Sequence, residues 1–133
     1  MSAARFAYTI ITVPDVKSTI AFFEEAFGFE RGFVSDDGDY GELQTGEVTL
    51  SFVSESLSAS NLPAGFQPHR PDQLPFAYEI ALVTDDVQQT MDNAISAGAT
   101  LVSAAKQKPW GQTVGYVRDR NGILIEVCTP VSS

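Results

Sequence analysis

Laid on itself with a shift of 71 positions, the sequence places Tyr8 over Glu79, Val16 over Val87 and Ile20 over Met91; later the shift widens to 75, with Val48 over Ile123 and Ser51 over Glu126. A repeat of about 50 residues is one supersecondary unit used twice, which limits the fold more than any local motif does. In the first copy RFAYTIITV (residues 5–13) is β-branched and aromatic and stops at Pro14-Asp15, predicting a strand that meets a helix with Asp15 as N-cap. Val16, Ile20, Phe23 and Phe27 recur at helical spacing and Gly28 supplies the stop. Strands are predicted over residues 31–35, 40–44 and 48–53, parted by the turn formers Asp36-Asp37-Gly38-Asp39 and Thr45-Gly46-Glu47. The second copy follows suit: a strand over residues 76–83, and a helix capped by Asp86 with Val87, Met91, Ala94 and Ile95 as its apolar face and Gly98 at its end. A short strand over residues 100–102 precedes a hairpin of residues 113–118 and 123–128 around Asp119-Arg120-Asn121-Gly122. Each copy is βαβββ. Between them, residues 55–75 hold Pro63, Pro68, Pro71 and Pro75 among Ser, Asn and Gln without a sustained period, the composition of a linker.

One such unit leaves a sheet face bare and would not be stable alone, so the 133 residues are expected to form a single domain. Its modules span about residues 5–54 and 76–130, packed with each other or with those of a partner chain. Charge narrows the partners. With 17 acidic against 8 basic residues, a net charge of -9 and a pI near 4.3, the chain repels phosphate backbones and anionic lipid. Nucleic acid and membrane are therefore not expected as partners, and a small molecule or a protein is left. No apolar stretch approaches the roughly 20 residues of a spanning helix, and the opening residues lack the apolar run of a signal peptide, so a cytoplasmic location is expected. With one Cys and one His, a structural zinc site is arithmetically impossible.

Three stretches, VPDVKSTIAFFEEAFGFE, FAYEIALVTDDVQQTMDNAISAGATLV and KPWGQTVGYVRDRNGILIEV, resemble the vicinal oxygen chelate superfamily of glyoxalase I, bleomycin-resistance and fosfomycin-resistance proteins and extradiol dioxygenases. The last is the most specific, with a Gly-containing loop, a strand, Asp119-Arg120-Asn121-Gly122 where the family has an Asp-Pro-Asp-Gly hairpin, and a final strand bearing Ile-Glu. The resemblance implies an α+β fold of two tandem βαβββ modules whose mixed sheets form an open, curled barrel around a central cavity, usually in a homodimer. It also implies a binding cavity that in many members holds a divalent metal. The four family ligand positions, typically His or Gln, Glu, His and Glu, are here Tyr8, Ser51, Glu79 and Glu126, of which only the two carboxylates are ordinary ligands. No metal site is therefore expected, and no cofactor, although two carboxylates completed by water leave a weak divalent site open.

Alternation puts Glu79 with Ala81 and Val83 on one strand face, and Glu126 with Leu124 and Cys128, so both carboxylates are expected to point into the cavity. A carboxylate among apolar residues costs several kcal/mol unless paired, protonated or coordinated. Two readings follow: a proton-handling catalytic pair in which one pKa is raised by the other, or a polar wall satisfied by Tyr8, Ser51 or water. The first makes Glu126→Gln stabilising at pH 7. Tyr8 and Ser51 are candidate ligand contacts, as are Trp110, in the loop Lys108-Pro109-Trp110-Gly111-Gln112, and Tyr116. The last depends on hairpin register: a two-residue turn sets Gly115 opposite Glu126, whereas a type I turn with a Gly122 bulge sets Tyr116 there. His69 reads as a solvated loop side chain, Cys128 as inert, and the acidic residues around Asp37 as a solvated face. The leading function is a metal-independent binder of a small organic molecule. A lyase or isomerase moving protons with Glu79 and Glu126, and a protein-interaction module without an open pocket, are the alternatives.

Overall fold

Both main helices start where a side-chain oxygen can take the first free amides. Asp15 accepts from the amide of Ser18, and Asp86 from that of Gln89. They open α1 (Val16–Phe27) and α3 (Val87–Ser96), and Gly28, in the left-handed region at φ 75°, closes the first by donating to the Glu24 carbonyl. The structure, a computed structural model, describes residues 2–131. Its strands are β1 (Tyr8–Val13), β2 (Glu30–Val34), β3 (Tyr40–Gln44), β4 (Thr49–Ser54), β5 (Ile80–Val83), β6 (Thr100–Gln107), β7 (Thr113–Arg118) and β8 (Leu124–Cys128), with a third helix, α2 (Glu55–Asn61). Among the described residues no helix is long and apolar enough to cross a membrane.

The chain divides into two compact units, with Pro68 ending the first and His69 starting the second part of the other. The first unit is a four-stranded sheet in the order β1-β4-β3-β2, with β1 parallel to β4 and the other pairs antiparallel. The second repeats it as β5-β8-β7-β6, with β5 parallel to β8. The fold is thus α+β, with two mixed sheets built by one plan, and each sheet is open.

In each unit one sheet face is closed by a helix lying over a glycine. A Cβ on Gly41 of β3 would come within 3.0 Å of Val16 and 3.3 Å of Ile20 in α1, and one on Gly115 of β7 would run into the sulfur of Met91 in α3. Val16, Ile20, Phe23 and Phe52 fill the first core, with the rings of Phe23 and Phe52 5.3 Å apart; Val87, Met91, Ala94, Ile125 and Val127 fill the second.

Three element boundaries depart from expectation. Residues 55–61, read as linker, form α2. Ser54 caps it by accepting from the Leu57 amide and Glu55 occupies its first turn, while its side chains carry too few apolar groups to show a helical period. β6 runs to Gln107 rather than residue 102, and its side chains are almost all exposed, so it lacks the buried alternation that marks a strand. β5 begins only at Ile80, because the Tyr78 amide turns back to the Phe76 carbonyl.

Candidate functional site

Asp119 decides which residue stands opposite Glu126. It is buried, and its Oδ1 accepts from the amides of Asn121 and Ile123, both at 2.9 Å, while Gly122, at φ 95°, donates to the Asp119 carbonyl. This is a type I turn with a glycine bulge, so Tyr116 pairs with Glu126, and Gly115 with Val127 beneath α3. Across the open face of the second sheet the row therefore reads Ala81, Glu126, Tyr116, Ser103. Glu79 precedes β5 on the same alternation as Ala81.

The Tyr116 hydroxyl donates to Glu126 Oε1 at 2.9 Å and lies 3.3 Å from Glu79 Oε1, so it joins both carboxylates. Burial, followed by the hydrogen bond and negative charge of Glu126, raises the pKa of Glu79. Burial also pushes Glu126 up, but hydrogen bonds from Glu79, Tyr116 and Cys128 and the charge of Lys108 outweigh it, and its net direction is down. Of the two carboxyls, Glu126 therefore ionises first and Glu79 keeps its proton to higher pH. The Tyr116 phenol, desolvated and beside both carboxylates, is pushed up to about 12 and stays a donor. The stabilising Gln replacement expected at Glu126 accordingly moves to Glu79.

The first unit carries a related row. Ile10, Ser51 and Glu42 lie side by side on β1, β4 and β3. Ser51, fully buried at 0% exposure, bonds to the Thr9 carbonyl at 3.4 Å and to the Tyr40 phenol. Tyr40 donates to Glu42 Oε2 at 2.7 Å, and Tyr8, 54% exposed, is close enough to act electrostatically on Tyr40. Tyr40 and Glu42 are polar partners that the sequence reading missed. Their signal was the Tyr-Gly-Glu alternation of β3, in which the glycine marks the helix side.

Trp110 is 63% exposed in a loop closed by the Lys108 amide on the Gln112 carbonyl, and its indole N–H donates to Gln112 Oε1 at 2.7 Å, leaving the ring faces open. His69 is not a solvated loop residue. It is 8% exposed and hydrogen-bonded to the Tyr78 hydroxyl at 2.7 Å, and burial, then the nearby Arg118 charge, lowers its pKa. Cys128 is a buried free thiol whose pKa is raised by burial and then by Glu126. A hollow of about 430 Å³ opens beside Arg5, Phe6, Tyr8, Glu47 and Thr49.

A divalent ion needs about three or more protein donors, commonly including imidazole for zinc, nickel or iron. Among the described residues no three His, Cys, Asp or Glu side chains gather at one point. Glu79 and Glu126 are two carboxyls bonded to a phenol with no imidazole beside them, and this donor set does not fit the metal that the resemblance implies for other members.

Against known proteins, residues 5–127 match the family model of the Glyoxalase/Bleomycin resistance protein/Dioxygenase superfamily. A probable lactoylglutathione lyase of Vibrio parahaemolyticus is 28% identical over 96% of this chain and 91% of its own length. Among solved structures, a glyoxalase-related enzyme from Fulvimarina pelagi superposes with a TM-score of 0.83 at 20% identity, over 96% of this chain and 89% of its own. A glyoxalase/bleomycin resistance protein/dioxygenase family enzyme from Burkholderia phytofirmans gives 0.79 at 21% identity, over 97% and 100%. The family match runs through both βαβββ units, from the strand before the first helix to the final strand that bears Glu126, and the chain belongs to the Glyoxalase/Bleomycin resistance protein/Dioxygenase superfamily.

Proposed function

We propose that this chain binds a small organic molecule, without a metal or other cofactor, on the sheet face that carries Glu79, Tyr116 and Glu126, and that it works as a cytoplasmic homodimer. The observation behind this reading is the trio itself: two carboxyls of unequal acidity joined by a phenol in one hydrogen-bonded set, partly open to solvent. Such a set offers a hydroxyl or carbonyl ligand both a donor and an acceptor. Trp110, on the same unit, is proposed as a further ligand contact, whereas the Ser51 expected as one is fully buried. The lone cysteine, kept as a buried free thiol, suits a reducing compartment.

A second reading is favoured by the unequal proton affinities of the two carboxyls. In that reading Glu126, whose pKa is lowered, takes a proton from the carbon next to a substrate carbonyl, and Glu79, whose pKa is raised, supplies one to the developing oxyanion, as in a lyase or isomerase. The 28% identical probable lactoylglutathione lyase supports a substrate of that class.

Calorimetry on chelator-treated protein, with a panel of small hydroxy- and dicarbonyl compounds, tests the first reading. Binding that falls roughly tenfold or more in both Tyr116→Phe and Glu126→Gln is expected. Affinity unchanged by either substitution would overturn the assignment of the site. Elemental analysis after dialysis is expected to return no stoichiometric zinc, nickel or iron, and one such ion per chain would overturn the metal-free reading. Turnover of a glutathione hemithioacetal by the metal-free protein would move the conclusion to the lyase.

A further inference from the structure

Within the trio, Tyr116 and Glu126 are locked opposite each other by the β7–β8 ladder, but the β5–β8 pairing starts at Ile80, one residue past Glu79. The backbone before Glu79 is held instead by Tyr78. The Tyr78 amide donates to the Phe76 carbonyl at 2.8 Å, and its hydroxyl is hydrogen-bonded to Nε2 of His69 at 2.7 Å. The imidazole is wedged in place, meeting the Phe76 ring edge-on at 4.8 Å and the Tyr78 ring at 5.8 Å. Its backbone is pinned as well: Arg70 Nη1 donates to the His69 carbonyl at 2.8 Å. Arg118 donates through Nη2 to the Arg70 carbonyl at 3.3 Å and through Nε to the Gly122 carbonyl at 2.9 Å. Arg118 lies two residues beyond Tyr116 on β7. One chain of hydrogen bonds therefore runs from the strand of Tyr116, through the bulged hairpin and the 69–70 segment, to the residue that precedes Glu79.

We propose that His69 is a positioning residue, which by holding Tyr78 sets the Glu79 carboxyl within reach of Tyr116 and Glu126. The inference rests on the reading that this trio is the working site. The fit of the parts favours it over a role in stability alone. A buried imidazole could be satisfied by any nearby backbone group, yet this one is spent on the hydroxyl of the residue adjoining Glu79, at the point where the β5 ladder gives no support. Burial and the Arg118 guanidinium keep the ring neutral, so it presents one nitrogen to the phenol without adding a charge beside Glu79.

The test reads Glu79 itself and uses no ligand, so its failure is separate from failure of the binding assignment. Protein carrying glutamate labelled with ¹³C at the side-chain carboxyl is compared by NMR at neutral pH, with the Glu79 signal assigned by its loss in Glu79→Gln. In wild type that signal should be displaced from that of an exposed carboxyl such as Glu47. In Tyr78→Phe, which keeps the ring and removes only the hydroxyl, and in His69→Leu, most of that displacement should be lost, with the Glu126 signal moving too and those of the first unit staying still. His69→Gln, whose amide can reach the same hydroxyl, should keep the wild-type signal. A residue that serves stability alone would lower the melting temperature and leave the Glu79 signal in place. An unmoved Glu79 signal in folded Tyr78→Phe overturns the proposal even where His69→Leu fails to fold, and so does a His69→Gln protein that behaves as Tyr78→Phe does.

Discussion

Glu79 and Glu126 carry the same group and end with opposite proton affinities, because one lies before the ladder with little to compensate its desolvation and the other accepts from Tyr116 and Cys128 and sits near Lys108. Each direction has a consequence for stability. Glu79, raised in the fold, binds its proton more tightly there than in the unfolded chain. Its stabilising contribution is complete below its unfolded pKa and is lost as pH rises through the folded value. Glu126, lowered, contributes above its unfolded pKa and loses that contribution as pH falls through the folded one. Glu79→Gln keeps a permanent donor to Glu126 without needing a proton. It should therefore stabilise the protein at pH 7 by about 0.5 kcal/mol, the scale of a solvent-screened pair, with the gain vanishing as pH approaches 4. Thermal melts of wild type and variant between pH 4 and 8 measure this. A Glu79→Gln protein less stable than wild type at pH 7 would show that Glu79 is held as an anion instead.

At the scale of elements, the hairpin from β7 to β8 is the piece on which the site depends, since a shift of one residue exchanges Tyr116 for Gly115 opposite Glu126. Its register rests on the Asp119 carboxylate, which accepts two backbone amides and the Asn121 side chain from a buried position. Asp119→Ala leaves those donors unmet and should cost about 2 kcal/mol, whereas Asp119→Asn, which keeps one acceptor, should cost less. Chemical denaturation of the three proteins gives the ranking, and equal stability of wild type and Asp119→Ala would mean that the turn is held by Gly122 alone. The hairpin also shows where sequence stops being informative. Asp119-Arg120-Asn121-Gly122 announced a turn, and Asp15, Asp86 and Gly28 announced helix ends, because capping and left-handed backbone are local chemistry. The choice between two turn types was open, since it depends on which amides a buried carboxylate can reach in three dimensions. The same reason hid His69: nothing in Gln67-Pro68-His69-Arg70-Pro71 tells that the ring lies against Phe76 and Tyr78.

For the whole molecule, the internal repeat made the two-unit plan legible, because each copy had to supply four strands and a helix for one of its sheet faces. What covers the other faces is a matter the repeat leaves to assembly. Beyond the helix-covered cores, large apolar side chains stand in the open: Phe6, Tyr8 and Ile10 alternate along and just before β1, Phe33 lies on β2, and Val83, Leu101 and Val102 lie on β5 and β6. β1, β2, β5 and β6 are also the outer strands of their sheets, and β6 has a single charged side chain, Lys106, along its eight residues. Strand edges and apolar stripes of this kind favour association between copies of a chain. A net charge of -9 opposes it, and the repulsion is screened beyond about 10 Å at 0.1 M salt. The protein is therefore expected to be a homodimer at moderate ionic strength, with light scattering returning about twice the 14.3 kDa of one chain. Substituting Ile10 or Leu101 by Glu separately should shift the mass toward a single chain if its stripe is the buried one, and should leave the mass unaltered if it is not. A mass of 14.3 kDa for the unaltered protein, held from micromolar to near-millimolar concentration and from low to moderate salt, would remove the dimer from the reading altogether.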